Sequence, residues 1–430
     1  MKLPNHQISY YHSTANYELN LNALDNDIEA EICIIGGGFT GINCAIELAD
    51  LGISCVVLEA HEIGFGASGH NGGQLIRGLG HNLDKFSKYL GNQGIKQLEK
   101  LGLHSPQIVK NRIDRFNIKC DLQNGYCDLA NTPDDFNSFQ HEFEHLKRIN
   151  YPHHIQLVKR SDMQQIVGSD NYYGGLLDMG SYHLHPLNLL LGETHVALSL
   201  GVQVFTNSQV IDINYGNQVT IFTKNGKITA NKLIFACNAY MQGLNKFLDG
   251  KILPAGSYII TTEKLPKQIT SQLIPQNLAL CDQKIALDYF RLTGDNRLLF
   301  GGACHYSGRN PQNIKNYMRK KMLKVFPQLS SYKIDFSWGA MIGIGANRMP
   351  QIGVLPNHPN VYYAQAYSGH GINTTHLAAK ILTDIIVHNK TKDFSLFTKI
   401  PHLTFPGGKY LRSYLLALGM FYYQLKDYLK

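Results

Sequence analysis

The chain has 430 residues, 44% of them hydrophobic and 17% charged, which suits two folded cores and excludes a disordered or fibrous protein. Net charge is +8, but Lys and Arg are scattered, and the densest cluster, Met318-Arg319-Lys320-Lys321-Met322, reads as the solvated face of a helix and not as a nucleic-acid surface. Eight cysteines without a C-x-x-C pair read as buried thiols of a reducing compartment, and His183-Leu184-His185 lacks the Cys or carboxylate partners that a metal site needs, so no metal is expected.

Residues 1–29 form a polar lead that carries Tyr10-Tyr11 and is expected to lie across the surface. With no apolar run in 1–13 it does not read as a signal peptide, and the location expected is cytoplasmic. Ile32-Cys33-Ile34-Ile35 is a short buried strand that breaks into Gly36-Gly37-Gly38-Phe39-Thr40-Gly41 and opens a helix over 40–52. In this G-x-G-x-x-G spacing Gly36 permits a tight turn, Gly38 lets backbone approach a pyrophosphate, and Gly41 lets the helix pack close to its strand. Phosphates would sit on the helix N-terminus. A second apolar run, Cys55-Val56-Val57-Leu58, ends in Glu59, placed to accept hydrogen bonds from a ribose, which completes a βαβ dinucleotide-binding unit.

The loop Gly64-Phe65-Gly66-Ala67-Ser68-Gly69-His70-Asn71-Gly72-Gly73-Gln74 has no apolar periodicity and brings backbone amides close to a flat or anionic ligand. Residues 82–115 and 136–148 have helical spacing, with a strand at Gly125-Tyr126-Cys127-Asp128-Leu129 between them. His185-Pro186 opens a helix to Leu200, followed by strands at 201–205 and 232–238. Alternating patterns over 252–302 predict an antiparallel second domain. Val361-Tyr362-Tyr363-Ala364-Gln365-Ala366 is a last buried strand, and Tyr367-Ser368-Gly369-His370-Gly371 with a helix over 373–387 repeats the strand, glycine turn, helix order of the start. The tail 410–430 holds ten apolar residues between basic ones, too few to span a bilayer. It is expected to dock on the core or a partner subunit, with a membrane-surface helix as the alternative.

Several stretches together resemble the D-amino-acid oxidase superfamily, and within it the γ-glutamylputrescine oxidoreductase group: Ser9-Tyr10-Tyr11, the glycine unit, 66–74, Leu184-His185-Pro186, Ala236-Cys237-Asn238-Ala239-Tyr240, Ser368-Gly369-His370-Gly371, and the tail from Phe405-Pro406-Gly407-Gly408 through Asp427. The resemblance implies an α/β fold, with a Rossmann-like FAD-binding domain of the glutathione reductase type and a second, antiparallel-sheet α+β substrate domain. On that basis 1–29 is the lead, 30–85, 155–250 and 340–395 form the FAD-binding domain, 86–154 and 251–339 the substrate domain, and 396–430 an apolar and basic helical tail.

The resemblance further implies that FAD lies along Gly36, Gly38, Phe39, Thr40, Gly41, Glu59 and Ala60, with Val210 giving a backbone contact to adenine. Ser68 and Gly69 are further cofactor-binding positions, the ring would meet His70, Asn71, Gly72, Gly73 and Gln74, and its pyrimidine side would lie near Gly369, His370, Gly371 and Ile372. The implied chemistry is hydride removal from the carbon beside an amine to flavin N5, hydrolysis of the imine, and reoxidation by dioxygen or another acceptor. Tyr289, Arg291 and Trp338 are the candidate walls of the substrate cavity, His370 faces flavin or substrate, and Lys264 is the candidate for an oxygen-activating lysine.

Sarcosine oxidases tether flavin through a cysteine in the segment resembling 341–349, which has none here. Dimethylglycine dehydrogenases use a histidine at the place of His70. Non-covalent FAD is predicted, a His70 linkage being the alternative. Three functions compete: oxidation of a primary amine such as γ-glutamylputrescine, oxidation of an N-methyl or D-amino acid, and flavin binding without turnover. Asn373 stands where sarcosine oxidases carry a carboxylate-binding lysine, and Gly371 and Ile372 stand where glycine oxidase-like proteins put an arginine. Both absences favour the amine.

Overall fold

The computed structural model describes residues 9–80, 82–284, 287–305 and 313–406. An eight-stranded sheet is built on Ile28–Ile35, whose last four residues are buried on both faces, as are all four of Cys55–Leu58. Such continuous apolar runs belong to parallel strands covered by helices on each side. Five strands run parallel in the order Gln203–Phe205, Cys55–Leu58, Ile28–Ile35, Lys227–Phe235, His358–Gln365. Gln351–Leu355 adds an antiparallel edge, and the hairpin Asp212–Asn214 with Val219–Phe222 pairs with the start of Lys227–Phe235. From Ile28–Ile35 the chain goes to one side through helix Phe39–Ala49 and later returns on the other side as Lys227–Phe235. The carboxyl end of that central strand is therefore a topological switch point, where open α/β sheets bind ligands.

The second sheet has nine strands, in the order Ile334–Gly345, Ile252–Thr262, Leu298–His305, Asp288–Leu292, Ala279–Asp282, Gln123–Ala130, Gly174–His183, Gln74–Leu75, with Ile155–Lys159 also on Gly174–His183. It is antiparallel except where Ala279–Asp282 runs parallel to Gln123–Ala130. The two-sheet α/β and α+β architecture is the one the sequence implies, but the division of the chain differs. Residues 155–183, expected in the nucleotide-binding part, form two strands of the second sheet, because Gly174–His183 takes its backbone partners from Gln123–Ala130 on one edge and Ile155–Lys159 on the other. Ile334–Gly345 likewise pairs along its length with Ile252–Thr262, across the boundary placed at 340.

Two local expectations are also corrected. Part of the lead leaves the surface: Tyr10 and Tyr11 are buried in a one-turn helix, Tyr10–Ser13, whose N-cap Ser9 accepts from the His12 amide, whereas 12–29 are exposed or half-buried apart from Leu24. In helix Ile314–Val325 the basic cluster is only partly solvated, since Met318 and Met322 face the core and the Lys321 ammonium pairs with Asp288 at 2.6 Å. The tail expectations for 410–430 fall outside the described residues. Among the described residues no helix is long and apolar enough to cross a membrane.

Candidate active site

A cleft of about 2040 Å³ opens at the switch point and runs between the two sheets. Pockets for one small ligand take roughly 300–1,000 Å³, so there is room for a dinucleotide and a substrate together. Gly36, Gly38, Phe39 and Thr40 border it, and Gly41 lies one layer behind. Gly36 has φ of 115°, open to glycine, and its amide donates to Leu58 O at 2.8 Å. A Cβ on Gly41 would stand 1.9 Å from Gly36 O, so the helix reaches its strand only without a side chain there. A Cβ on Gly38 would meet only Ser68 Oγ, at 2.9 Å, beside the open cleft. Ser68 Oγ in turn accepts from the Phe39 amide at 3.0 Å and covers the first turn of the helix.

Glu59 follows Cys55–Leu58, with Ala60 beside it on the cleft wall. Its carboxylate accepts from the Gly37 amide at 2.7 Å and the His61 amide at 3.0 Å. It pins the glycine turn and keeps lone pairs for a ribose hydroxyl. Val210 borders the same end, beyond Ser208, whose amide donates to Glu59 O at 2.8 Å. A cradle open only to glycines, a helix N-terminus and an acid at the strand end together fit the adenosine and pyrophosphate of FAD.

In the second loop Ser68, His70, Asn71, Gly72 and Gln74 border the cleft, whereas Gly69 packs on Gly64 and Gly73 on the Leu184 carbonyl. Asn71 clasps the loop from within: its Nδ2 donates to Ala67 O and Ser68 O, and its Oδ1 accepts from the Gly73 amide at 2.8 Å. His70 Nδ1 faces two carbonyls, Gly64 O and Gly66 O, each at 3.1 Å. Tyr289 is a wall of the cleft and packs so close that a Cβ on Gly72 would stand 2.4 Å from its ring.

Arg291 and Trp338 are not walls. Both are buried behind the loop, where Arg291 Nε donates to Gly72 O at 2.8 Å and Trp338 Nε1 to His70 O at 3.2 Å. Arg291 spends its other donors on Leu292 O and the Tyr11 hydroxyl. Lys264 is also misplaced: it is largely exposed, 3.8 Å from Asp295, and does not border the cleft.

The third loop closes the cleft from the other side. Ala366 and Ser368 hold φ of 63° and 53°, and Gly369 holds 100°. The strain is held by specific bonds: Asn238 Oδ1 accepts from the Ala366 amide at 3.0 Å, and Ser368 donates its amide to Gly343 O at 3.0 Å. Gly369, His370, Gly371 and Ile372 border the cleft at the start of helix Gly371–His388. Burial lowers the His370 pKa to about 4, so its imidazole is neutral at neutral pH. Asn373 does not face the cleft. Its Nδ2 donates backwards to Gly78 O at 2.8 Å and to Ser105 Oγ at 2.7 Å, so a lysine at this position would lose two buried bonds rather than gain a ligand carboxylate.

Two groups escaped the sequence reading. On the cleft wall the buried Arg77 pairs with Asp178 at 2.8 Å and Glu142 at 2.6 Å, and Tyr126 donates to Asp128 at 2.8 Å. Burial and then the Glu142 charge push the Asp128 carboxyl up to about 6, against the pull of Arg77. Behind the cleft, buried Glu193 joins the two ligand-facing helices. Its Oε1 lies 2.6 Å from His376 Nε2 and its Oε2 accepts from Asn43 Nδ2 at 2.9 Å. His376 Nδ1 donates to Ile372 O at 2.7 Å, which leaves Nε2 facing Glu193. The signal was available, since Glu193 is the one charged residue in the mostly apolar helix Pro186–Ser199.

Comparison with known proteins agrees with this geometry. The FAD dependent oxidoreductase (DAO) family pattern matches residues 31–385. The chain is 37% identical over 423 residues to the γ-glutamylputrescine oxidoreductase of Escherichia coli (strain K12), covering 98% of each. It is 36% identical over 430 residues to the probable oxidoreductase OrdL of Haemophilus influenzae, covering 98% of this chain and 97% of the other. Among solved structures, glycine oxidase from Geobacillus kaustophilus superposes with a TM-score of 0.73 at 19% identity, over 87% of this chain and all of that one.

Proposed function

Since the chain belongs to the DAO family of FAD dependent oxidoreductases, we propose that it oxidises a long-chain primary amine of the γ-glutamylputrescine type to an aldehyde. The observation that carries this reading is where the cations are. Among the described residues the Lys and Arg side chains on the cleft are Arg77, Lys96, Lys284 and Arg348. Arg77 lies between two carboxylates, Lys284 is 2.6 Å from Asp282, and Lys96 and Arg348 are exposed. Arg291, the cation nearest the second loop's backbone, is turned away behind it. An α-amino acid brings its carboxylate next to the reacting carbon, and a carboxylate desolvated there without a cation costs several kcal/mol, of order 3–5. A substrate whose charges lie far from the reacting carbon escapes that cost. The wall of Asp128 and Glu142 offers carboxylates to the ammonium of such a distant group.

When bound, FAD supplies the acceptor for the hydride that leaves the carbon beside the amine. The chain's task is to hold the amine neutral and exclude water. Neutral His370 adds no positive charge to oppose an amine, and Tyr289 against Gly72 narrows the cleft where the substrate carbon must be held. The resulting imine takes up water and releases ammonia and the aldehyde, and dioxygen accepts the two electrons, giving hydrogen peroxide. Aldehyde and peroxide formation from γ-glutamylputrescine, putrescine, sarcosine and D-alanine test the proposal. The glutamylated amine should be the best substrate by at least about a hundredfold in kcat/KM over either amino acid. Turnover of sarcosine or D-alanine at a comparable rate would overturn it.

A further inference from the structure

Ser9-Tyr10-Tyr11 lies outside the cleft, yet it holds the loop that forms one of its walls. Four consecutive carbonyls of that loop are bound from the rear. His70 O accepts from Trp338 Nε1 at 3.2 Å, Asn71 O from the Tyr11 hydroxyl at 2.8 Å, Gly72 O from Arg291 Nε at 2.8 Å, and Gly73 O from the Leu184 amide at 2.8 Å. Trp338, Tyr11 and Arg291 are buried and border no part of the cleft, while His70, Asn71 and Gly72 border it. A trans peptide sets each carbonyl opposite the next N–H, and no cis peptide occurs among the described residues. With the carbonyls of His70 and Asn71 drawn backwards, the amides of Asn71 and Gly72 turn toward the cleft.

The Tyr11 hydroxyl is the node of this arrangement, since it accepts from Arg291 Nη2 at 3.2 Å while donating to Asn71 O. Burial raises its pKa, so the phenol stays protonated and remains a donor. Its ring is fixed by edge-on contacts with His185, at 4.8 Å between centroids, and Trp338, at 5.3 Å.

We infer that Tyr11 is a positioning residue for the oxidation, which aims the Asn71 and Gly72 amides at the charge that builds on the flavin as it is reduced. The inference rests on FAD occupying the cleft. Preorganised donors of this kind stabilise developing negative charge because they need no reorganisation when it appears.

Tyr11→Phe keeps the ring contacts and removes only the hydroxyl. The FAD-loaded variant should keep its flavin dissociation constant within about threefold of wild type, while its reduced-to-oxidised ratio at a fixed potential falls about tenfold, a midpoint lower by about 30 mV. Tyr10→Phe is the control. It loses a comparable bond, from its hydroxyl to Asp295 Oδ1 at 2.8 Å, but none to the loop, and should lower the melting temperature without moving the midpoint. Trp338→Phe removes the neighbouring donor and should shift the midpoint in the same direction, which keeps the test open if Tyr11→Phe does not fold. Unchanged midpoints and visible spectra in both loop variants would overturn the inference. Failure of wild-type protein to bind FAD would instead overturn the reading of the cleft.

Discussion

Gly38→Ala and Gly41→Ala place the same methyl three residues apart and should fail in different ways. At Gly41 the new Cβ would lie 1.9 Å from Gly36 O and 3.1 Å from Gly36 C, both backbone atoms of the turn, with Ile34 Cγ2 at 3.3 Å. Overpacking costs about 1–3 kcal/mol when side chains can yield, and backbone yields less, so at least about 3 kcal/mol is expected here. At Gly38 the only close neighbour is Ser68 Oγ at 2.9 Å, and φ is −87°, a value open to any residue. The hydroxyl can turn away, losing its bond to the Phe39 amide for about 1 kcal/mol. Roughly 0.4–1 kcal/mol returns from the stiffer unfolded chain. Apo Gly38→Ala should therefore unfold in urea within about 1 kcal/mol of wild type, whereas Gly41→Ala should unfold far earlier. In FAD titration Gly38→Ala should weaken binding by at least tenfold, since the methyl stands where phosphate must approach and lost charged hydrogen bonds are worth about 1.5–3 kcal/mol each. Wild-type FAD affinity in Gly38→Ala, or a stability loss equal to that of Gly41→Ala, would refute the cradle.

Three further outcomes follow from buried charge and from the loop. Glu193→Ala removes the partner of His376 Nε2 and one of the two acceptors of Asn43 Nδ2 in the core and should cost about 3–5 kcal/mol in urea unfolding, with FAD affinity falling as the two helices lose their common anchor; an unchanged unfolding midpoint would contradict this. Burial holds the pKa of His183 and His185 down at about 3 and that of His370 and His402 at about 4, below the unfolded value of about 6.5. Their stability is full above pH 6.5 and is lost as pH falls toward 4; Asp128, raised to about 6, and Asp282, raised by burial, work in the opposite direction but are two carboxyls against four imidazoles. The urea midpoint should drop from pH 7 to pH 4.5, less so in His185→Asn, which keeps a cap for the Asn188 amide that His185 Nδ1 now accepts at 3.1 Å; a flat profile in wild type would count against the buried neutral imidazoles. Acid precipitation should leave the yellow colour in the supernatant if FAD is held without a covalent link, as 341–349 holds no cysteine; colour in the pellet would mean a covalent link, with His70 on the cleft wall the first residue to test.

The parts of the fold legible in the sequence are those with a local cause. Gly36 is a glycine because its φ of 115° asks for one, Gly41 because Gly36 O, five residues back, leaves no room for a Cβ, and His185-Pro186 opens its helix because the imidazole caps the Asn188 amide. The parts that were missed depend on partners far along the chain. Tyr11 is 60 residues from Asn71 and 280 from Arg291, so a polar lead gives no hint that its tyrosines are buried. Arg291 and Trp338 were placed near the correct loop but on its wrong side, since alternation along a strand says which residues share a face and not what that face meets. Residues 155–183 went to the wrong sheet for the same reason: their apolar pattern is satisfied by either, and only the pairing register of Gly174–His183 decides. Asn373 was read against a lysine found in other proteins, while its two bonds to Gly78 and Ser105 lie at separations of 295 and 268 residues.

The most direct test of the account is anaerobic mixing of the FAD-loaded enzyme with γ-glutamylputrescine or with sarcosine, followed by the loss of flavin absorbance in a single turnover. With no unpaired cation facing the second loop among the described residues, bleaching by the amine should be rapid and the rate with sarcosine at equal concentration at least about a hundredfold lower. Equal rates, or faster bleaching by sarcosine, would contradict the assignment of the cleft to an amine and return it to an amino-acid oxidase.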